Sequence, residues 1–226
     1  MMLKNKKGIF FTLLVIAILF LFTISYTLYS DIKSREAVTK RVETMNNFVF
    51  SFEKDLERQL YISGFRIIII VEKRIIDTGS YINNFESTFN EIFFYGTIYG
   101  ETSQEIEELM SGVKFSDIQN LLNARASEIN ADGSLINPVL TVTQEDPWSV
   151  KVNLTAELTI HDKTNLALWN KTLTTLSYIS IENFEDPVYV LKTNGKVTNK
   201  INKTIYGVFV SGTDVTNLTS KFSIEI

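Results

Sequence analysis

The chain has 226 residues, 45% of them hydrophobic, with a net charge of −4 and no cysteine. Phosphate contact needs a clustered basic face, so this acidic balance argues against nucleic acid as a partner. Disulfides, thiolate metal sites and cysteine nucleophiles are excluded together, and about 195 residues beyond the apolar start must hold as one large domain or two small ones through their core alone.

Residues 8–30, GIFFTLLVIAILFLFTISYTLYS, contain no Asp, Glu, Lys, Arg or His. A helix rises about 1.5 Å per residue, so some twenty residues cross roughly 30 Å of hydrocarbon, and 9–28 meets that requirement. No later run does. The sequence therefore predicts one membrane segment at the start and everything else on one side. A secretory signal would have an apolar core of about 7–15 residues followed by a small-residue cleavage box. Here the run is longer and ends in bulky residues, so removal after it is not expected. Lys4, Lys6 and Lys7 favour a cytoplasmic N-terminus, although Lys33, Arg35, Lys40 and Arg41 lie beyond the other end. The reading is a single-pass cell-membrane protein with its C-terminal part extracellular.

Beyond residue 30 the anchor is predicted to continue as a helix to 79. Met45, Phe48/Val49, Phe52, Leu56, Leu60, Ile67, Val71 and Ile75 fall at spacings of three and four, one stripe of a helix, and no proline precedes Pro138. Gly64 marks a kink or close packing. Residues 67–71, IIIIV, favour a buried strand by propensity but are read as helix from the flanking period. Ser80 to Tyr95 again carries apolar residues at helical spacing. Thr102-x-x-Glu105 and Ser116-x-x-Gln119 read as capping boxes that open helices near 103–111 and 117–130, and Asp132-Gly133 ends the helical half.

After Pro138 the period changes to two. Val150, Val152, Leu154, Ala156, Leu158 and Ile160 alternate with Lys151, Asn153, Thr155, Glu157 and Thr159, a strand with one face on a core. The 162–165 segment reads as a turn and 168–181 as the returning strand. Glu185-Asp186-Pro187 is read as the start of another strand to Lys192, and Asn194-Gly195 as a hairpin turn into a strand over 196–206. The expectation is an antiparallel sheet of four or five strands, covered on one face by the long helix.

Candidate chemistry is sparse. His161, the only histidine, sits before a turn and reads as a solvated side chain rather than a base. The pairs Glu107/Glu108, Glu145/Asp146 and Glu185/Asp186 are adjacent in sequence and diverge on a helix or strand, whereas paired-carboxylate hydrolysis needs groups converging from separate elements. No phosphate-loop, dinucleotide, zinc-protease, nucleophile-elbow or EF-hand string occurs. No catalytic, cofactor or metal residue is assigned and no small-molecule substrate is evident. Asn153, Asn170, Asn202 and Asn217 each open an Asn-x-Thr sequon, a glycosylation candidate if the host modifies exported proteins.

Lys6-Lys7-Gly8 immediately before the apolar run resembles the class III signal of type IV pilins and archaeal pilin-like proteins. That resemblance implies peptidase cleavage between Gly8 and Ile9, leaving the apolar helix on the mature protein. The fifth mature position is Leu13 where bacterial pilins carry Glu, and the first is Ile9 where archaeal versions often carry Gln. LTVTQEDPWSVKVNLTAELTI and IENFEDPVYVLKTNGKVTNKI are similar to parts of archaeal surface proteins of unassigned role with pilin-like N-termini. The combined reading is an α+β, pilin-like protein. It comprises a basic leader (1–8), a transmembrane helix (9–30), its continuation (31–79), a helical region (80–133) and an antiparallel β domain (134–226). Its expected role is a non-catalytic surface subunit that self-assembles through the N-terminal helix. The alternatives are a solitary anchored binding or adhesion module and, less favoured, an exported hydrolase.

Overall fold

The computed structural model describes residues 6–203. The fold is α+β. Helix α1 (Lys6–Thr78) is followed by α2 (Phe85–Tyr95), α3 (Gln104–Met110) and α4 (Phe115–Glu128). Then come strands β1 (Ala131–Asp146), β2 (Ser149–Asp162) and β3 (Leu168–Ser180), and a short α5 (Pro187–Lys192). The three strands form one antiparallel sheet in the order β1-β2-β3.

The apolar stretch and the three-and-four stripe belong to one helix of 73 residues, about 110 Å long. Its buried stripe begins at Met45 and runs through Val49, Phe52, Leu56 and Leu60. At the isoleucine run the burial widens: Ile67, Ile68, Ile70 and Val71 are all buried. Helix α1 packs against β3, α2 and α3, and cover from several elements is why the run lacks a polar face. The hydroxyl of Ser63, fully buried, donates to Gln59 O at 2.8 Å and Val113 O at 2.6 Å. Arg66 Nη1 donates to Leu109 O at 2.8 Å, taking up a carbonyl that the C-terminal turn of α3 leaves free.

Gly64 marks close packing, not a break. A Cβ placed there would stand 2.2 Å from Ile179 Cδ1 of β3, and Ile179 is fully buried. Gly64→Ala gains about 1 kcal/mol of helix propensity but forces that methyl into a filled core, at about 1–3 kcal/mol. The expected result is net destabilisation in urea unfolding. In an Ile179→Val background, which lacks the obstructing methyl, Gly64→Ala is expected to become neutral or stabilising.

The alternation in β2 places Val150 to Ile160 on the core face, and every one of those apolar residues is buried. Leu154 pairs with Leu140 of β1, and Ala156 with Leu173 of β3. The Asp-Pro turn reading holds between β1 and β2, where Trp148 N donates to Asp146 Oδ1 at 2.7 Å. Pro138 sits where the β1–β2 register shifts, between Ile136 and Val139, the kind of irregularity that tolerates a residue without an amide donor.

Several boundaries differ from expectation. Helix α2 starts at Phe85, capped by the Asn84 side chain accepting from Ser87 N at 2.9 Å. The cap of α3 is Ser103, not Thr102, and its hydroxyl accepts from Ile106 N at 3.2 Å. Helix α4 begins one residue before Ser116, with the Asp117 carboxylate accepting from Lys114 N at 3.2 Å. Gln119 is thereby released from a capping role. Its Oε1 accepts from Leu135 N at 2.8 Å and its Nε2 donates to Gly133 O at 3.1 Å. That side-chain amide takes the place of a neighbouring strand along β1. Asp132 and Gly133 consequently lie inside β1 and do not end the helical half, so the sheet starts at Ala131 rather than 134.

The largest correction concerns the strand expected at 187–192, which is helix α5. Asp186 is its N-cap, the carboxylate accepting from Val188 N at 2.9 Å, and Pro187 occupies the first turn. Asp-Pro is as good a helix start as a turn start. Asn194 and Gly195 both have positive φ, 50° and 75°, as a tight turn requires. They follow a helix instead of joining strands, however, and Gly195 N donates to Val190 O at 2.9 Å. Of the strand expected over 196–206, the described part makes one antiparallel bridge, Glu185 to Lys200, and the rest lies outside the described residues. The sheet accordingly has three strands among the described residues, not four or five.

Candidate functional site

The surface that stands out is the first part of α1. Among the described side chains every residue from Phe10 to Ala37 is exposed, and the first with even partial cover is Val38. Phe10, Phe22 and Tyr26 are 69%, 69% and 74% exposed, with no polar partner for any of that area. Soluble monomers rarely present contiguous apolar patches beyond a few hundred Å². The helix is long and apolar enough to cross a membrane, and the apolar window is wholly uncovered. Two of its threonine hydroxyls turn inward: Thr23 Oγ1 donates to Leu19 O at 2.9 Å and Thr27 Oγ1 to Ile24 O at 2.8 Å. These threonines leave no hydroxyl proton directed at the surroundings.

The Gly8–Ile9 peptide bond lies within α1, and Gly8 is exposed. Its carbonyl accepts from the Thr12 hydroxyl at 3.2 Å. Beyond the stretch, Lys33 Nζ stands 5.8 Å from the Tyr29 ring centroid, an aromatic–lysine pairing suited to an interface between apolar and aqueous layers.

Helix and sheet are locked where the packed part of α1 begins. Asp162 at the end of β2 is fully buried, and its Oδ1 accepts from Arg41 Nε at 3.0 Å and Nη2 at 2.7 Å. Arg41 Nη2 also donates to Asn130 O at 2.9 Å, the other Asp162 oxygen accepts from Leu166 N at 3.1 Å, and the Thr164 hydroxyl donates to it as well. The Thr164 hydroxyl above all, and then Arg41, hold the Asp162 carboxyl far below the usual carboxylate range against the opposing effect of burial. Residues 121 apart make this bond, so no local spacing announces it. Further along, Lys171 Nζ meets Glu53 Oε1 at 2.6 Å and Arg125 Nη1 meets Asp55 Oδ2 at 2.6 Å.

At the other end of the packed helix, a cavity of about 250 Å³ is walled by apolar side chains, with Glu72 and Glu185 as its charged lining residues. Glu185 N donates to Glu72 Oε1 at 2.5 Å. Burial, followed by the nearby Glu185 charge, pushes the Glu72 carboxyl above its ordinary value against that amide bond. The adjacent pair Glu185/Asp186 does diverge, one side chain lining the cavity and the other capping α5. The fold instead brings Glu72 to Glu185, a pairing that adjacency in sequence does not reveal.

The sequons are distributed unevenly. Asn153 is on the sheet face away from the core, as the alternation implies, but it is half-buried and its Oδ1 has no hydrogen-bond partner. Asn170 on β3 and Asn202 are exposed, while Asn217 lies outside the described residues. His161 is exposed and sits across the strands from Asp132 and Leu168. No cluster of three metal-ligating side chains occurs among the described residues. Comparison with protein-family models, with curated proteins and with solved structures finds no match, so the reading of this chain rests on its own geometry.

Proposed function

We propose that the protein is a non-catalytic, membrane-anchored cell-surface subunit of the type IV pilin-like kind, with a cytoplasmic N-terminus and residues beyond 30 outside the cell. The observation that carries this reading is the division of α1. One unbroken helix has an apolar first part with no cover, within residues 10–37, and a later part, from Met45, whose stripe is buried against the sheet and α2–α3. An apolar surface of that length is stable in hydrocarbon or against copies of itself. Assembly moves it from lipid into a bundle of equivalent helices, and the sheet domain stays outside the bundle.

A second reading is a solitary anchored binding or adhesion module. It is favoured by Leu13, which stands exposed where a bacterial pilin has a glutamate to set a neighbour's register; residues 8–30 contain no charge to do so. An exported hydrolase comes third. N-terminal sequencing of the native membrane protein tests the pilin-like reading: it is expected to begin at Ile9, and an intact start at Met1 or Met2 overturns it. Sheared surface fractions then separate the first two readings, since a filament subunit is released by shear and a solitary anchor stays with the membrane.

A further inference from the structure

The sheet is fastened to α1 at two levels, which together fix the direction of its strands. Ile179 of β3 lies against Gly64, its Cδ1 2.2 Å from where a Cβ would stand, and Asp162 at the end of β2 accepts from Arg41 at 2.7 Å. Arg41 to Gly64 is 23 helical steps, about 35 Å. Leu168 pairs with His161, next to Asp162, and from Leu168 to Ile179 is 11 strand steps, about 36 Å. The two lengths agree, so β3 runs along the helix axis and the β2–β3 turn points towards the apolar end of α1. That turn is braced. The Asp162 oxygen not held by Arg41 accepts from the Thr164 hydroxyl and from Leu166 N at 3.1 Å. Lys163 N donates to Asn130 O at 3.2 Å, the carbonyl that Arg41 Nη2 also holds.

The turn carries apolar side chains that the core does not use: Leu166 and Leu168 are 48% and 64% exposed. On α1 the first residue with partial cover is Val38, which marks the lower rim of the domain. Val38 is eight helical steps beyond Ser30, about 12 Å, and the headgroup layer on one face of a bilayer is about 5–8 Å deep. A leucine side chain covers most of the difference, and a helix tilt of about 20° towards the sheet closes the rest. Lys163 is paired with Asp132 and Lys40 with Glu36, both at 3.1 Å, so this rim offers leucine side chains rather than free charge. We propose that the β2–β3 turn, led by Leu166, is a second membrane contact, seated in the phospholipid headgroup layer of the bilayer that α1 crosses. The proposal rests on the membrane reading of α1. A single span leaves its direction of lean open, and a turn seated beside it selects one.

The native chain has no cysteine, so single thiols can carry a nitrobenzoxadiazole label on the full-length protein in phosphatidylcholine vesicles that contain a headgroup-nitroxide lipid. The label on Leu166→Cys is expected to lose at least about half of its fluorescence to the nitroxide. The label on Tyr81→Cys, an exposed position just past the far end of α1, is expected to be unaffected. Lys163→Cys gives a second readout with Leu166 intact: it is expected to be quenched as well, and to lose most of that quenching when Leu166→Asp is added. Tyr29→Cys, exposed at the end of the apolar stretch, tests the anchor itself. Quenching at 29 without quenching at 166 and 163 overturns the proposal and leaves the anchor standing. No quenching at 29 overturns the membrane reading, and the proposal with it. A label at 166 that is shielded from iodide but not quenched by the lipid overturns it in favour of a second copy seated on the turn.

Discussion

A chain carrying Ile16→Arg and Leu19→Arg is expected to leave the carbonate-washed membrane and appear in the soluble or aggregated fraction. Residues 9–28 contain fourteen Leu, Ile, Phe and Val side chains, each worth about −0.3 to −0.6 kcal/mol in a membrane-inserted helix, or about −4 to −8 kcal/mol together. Each arginine near the helix centre costs about 2.5–3.5 kcal/mol. Two of them offset most or all of the favourable total. Phe50→Arg is the control: Phe50 is 57% exposed on the same helix but outside the apolar stretch, and that variant is expected to remain in the membrane. Retention of the double arginine variant would mean that the stretch is held by something other than hydrocarbon.

The second large effect is expected at Arg41. Arg41→Ala leaves the Asp162 carboxylate, fully buried, with the Thr164 hydroxyl and the Leu166 amide but no cation. Removing one partner of a buried pair is strongly destabilising, because the other charge stays desolvated. Thermal unfolding of the full chain is expected to fall by roughly 5–15 °C. Arg41→Met with Asp162→Leu, which removes both charges, is expected to recover part of the loss.

The pH dependence follows from the direction of the Asp162 shift, which is downward. A carboxyl depressed in the folded state stabilises the fold fully above its unfolded value, near pH 4, and loses that contribution as pH falls through the folded value. Asp162→Asn is expected to be less stable at pH 7 and to show a shallower decline below pH 4 than the native chain. An unchanged acid profile would locate the acid sensitivity elsewhere. The raised carboxyl of Glu72 acts in the opposite sense, since protonation relieves a group the fold disfavours in its charged form.

The helix and the central strand were legible because their periodicity is set by one dominant partner. Met45 to Leu60 repeats every three or four residues against a single surface, and Val150 to Ile160 every two. The isoleucine run was ambiguous for a physical reason: at Ile67–Val71 the helix is covered by several elements, so burial erases the period. Short elements were the least readable. The segment from Asp186 begins with a pair of residues that starts a turn or a helix equally well, and only six helical residues follow. The site depended on distance in space. Arg41 and Asp162, Glu72 and Glu185, and Gln119 and Leu135 owe their contacts to the way α1 and α4 lie on the sheet, and none has a sequence spacing of its own.

The unbroken course of α1 has a mechanical consequence. From Ser30 to Thr78 it runs 49 residues without a break, about 72 Å, with no proline and with its one interior glycine wedged against Ile179. A rod without a hinge transmits rotation undiminished. If its apolar end is held, a change in inclination of about 5° sweeps the opposite end sideways by about 6 Å. Small reorientations at the base are thus magnified into displacements about as wide as a side chain at the tip, and the protein behaves as a lever rather than a tether.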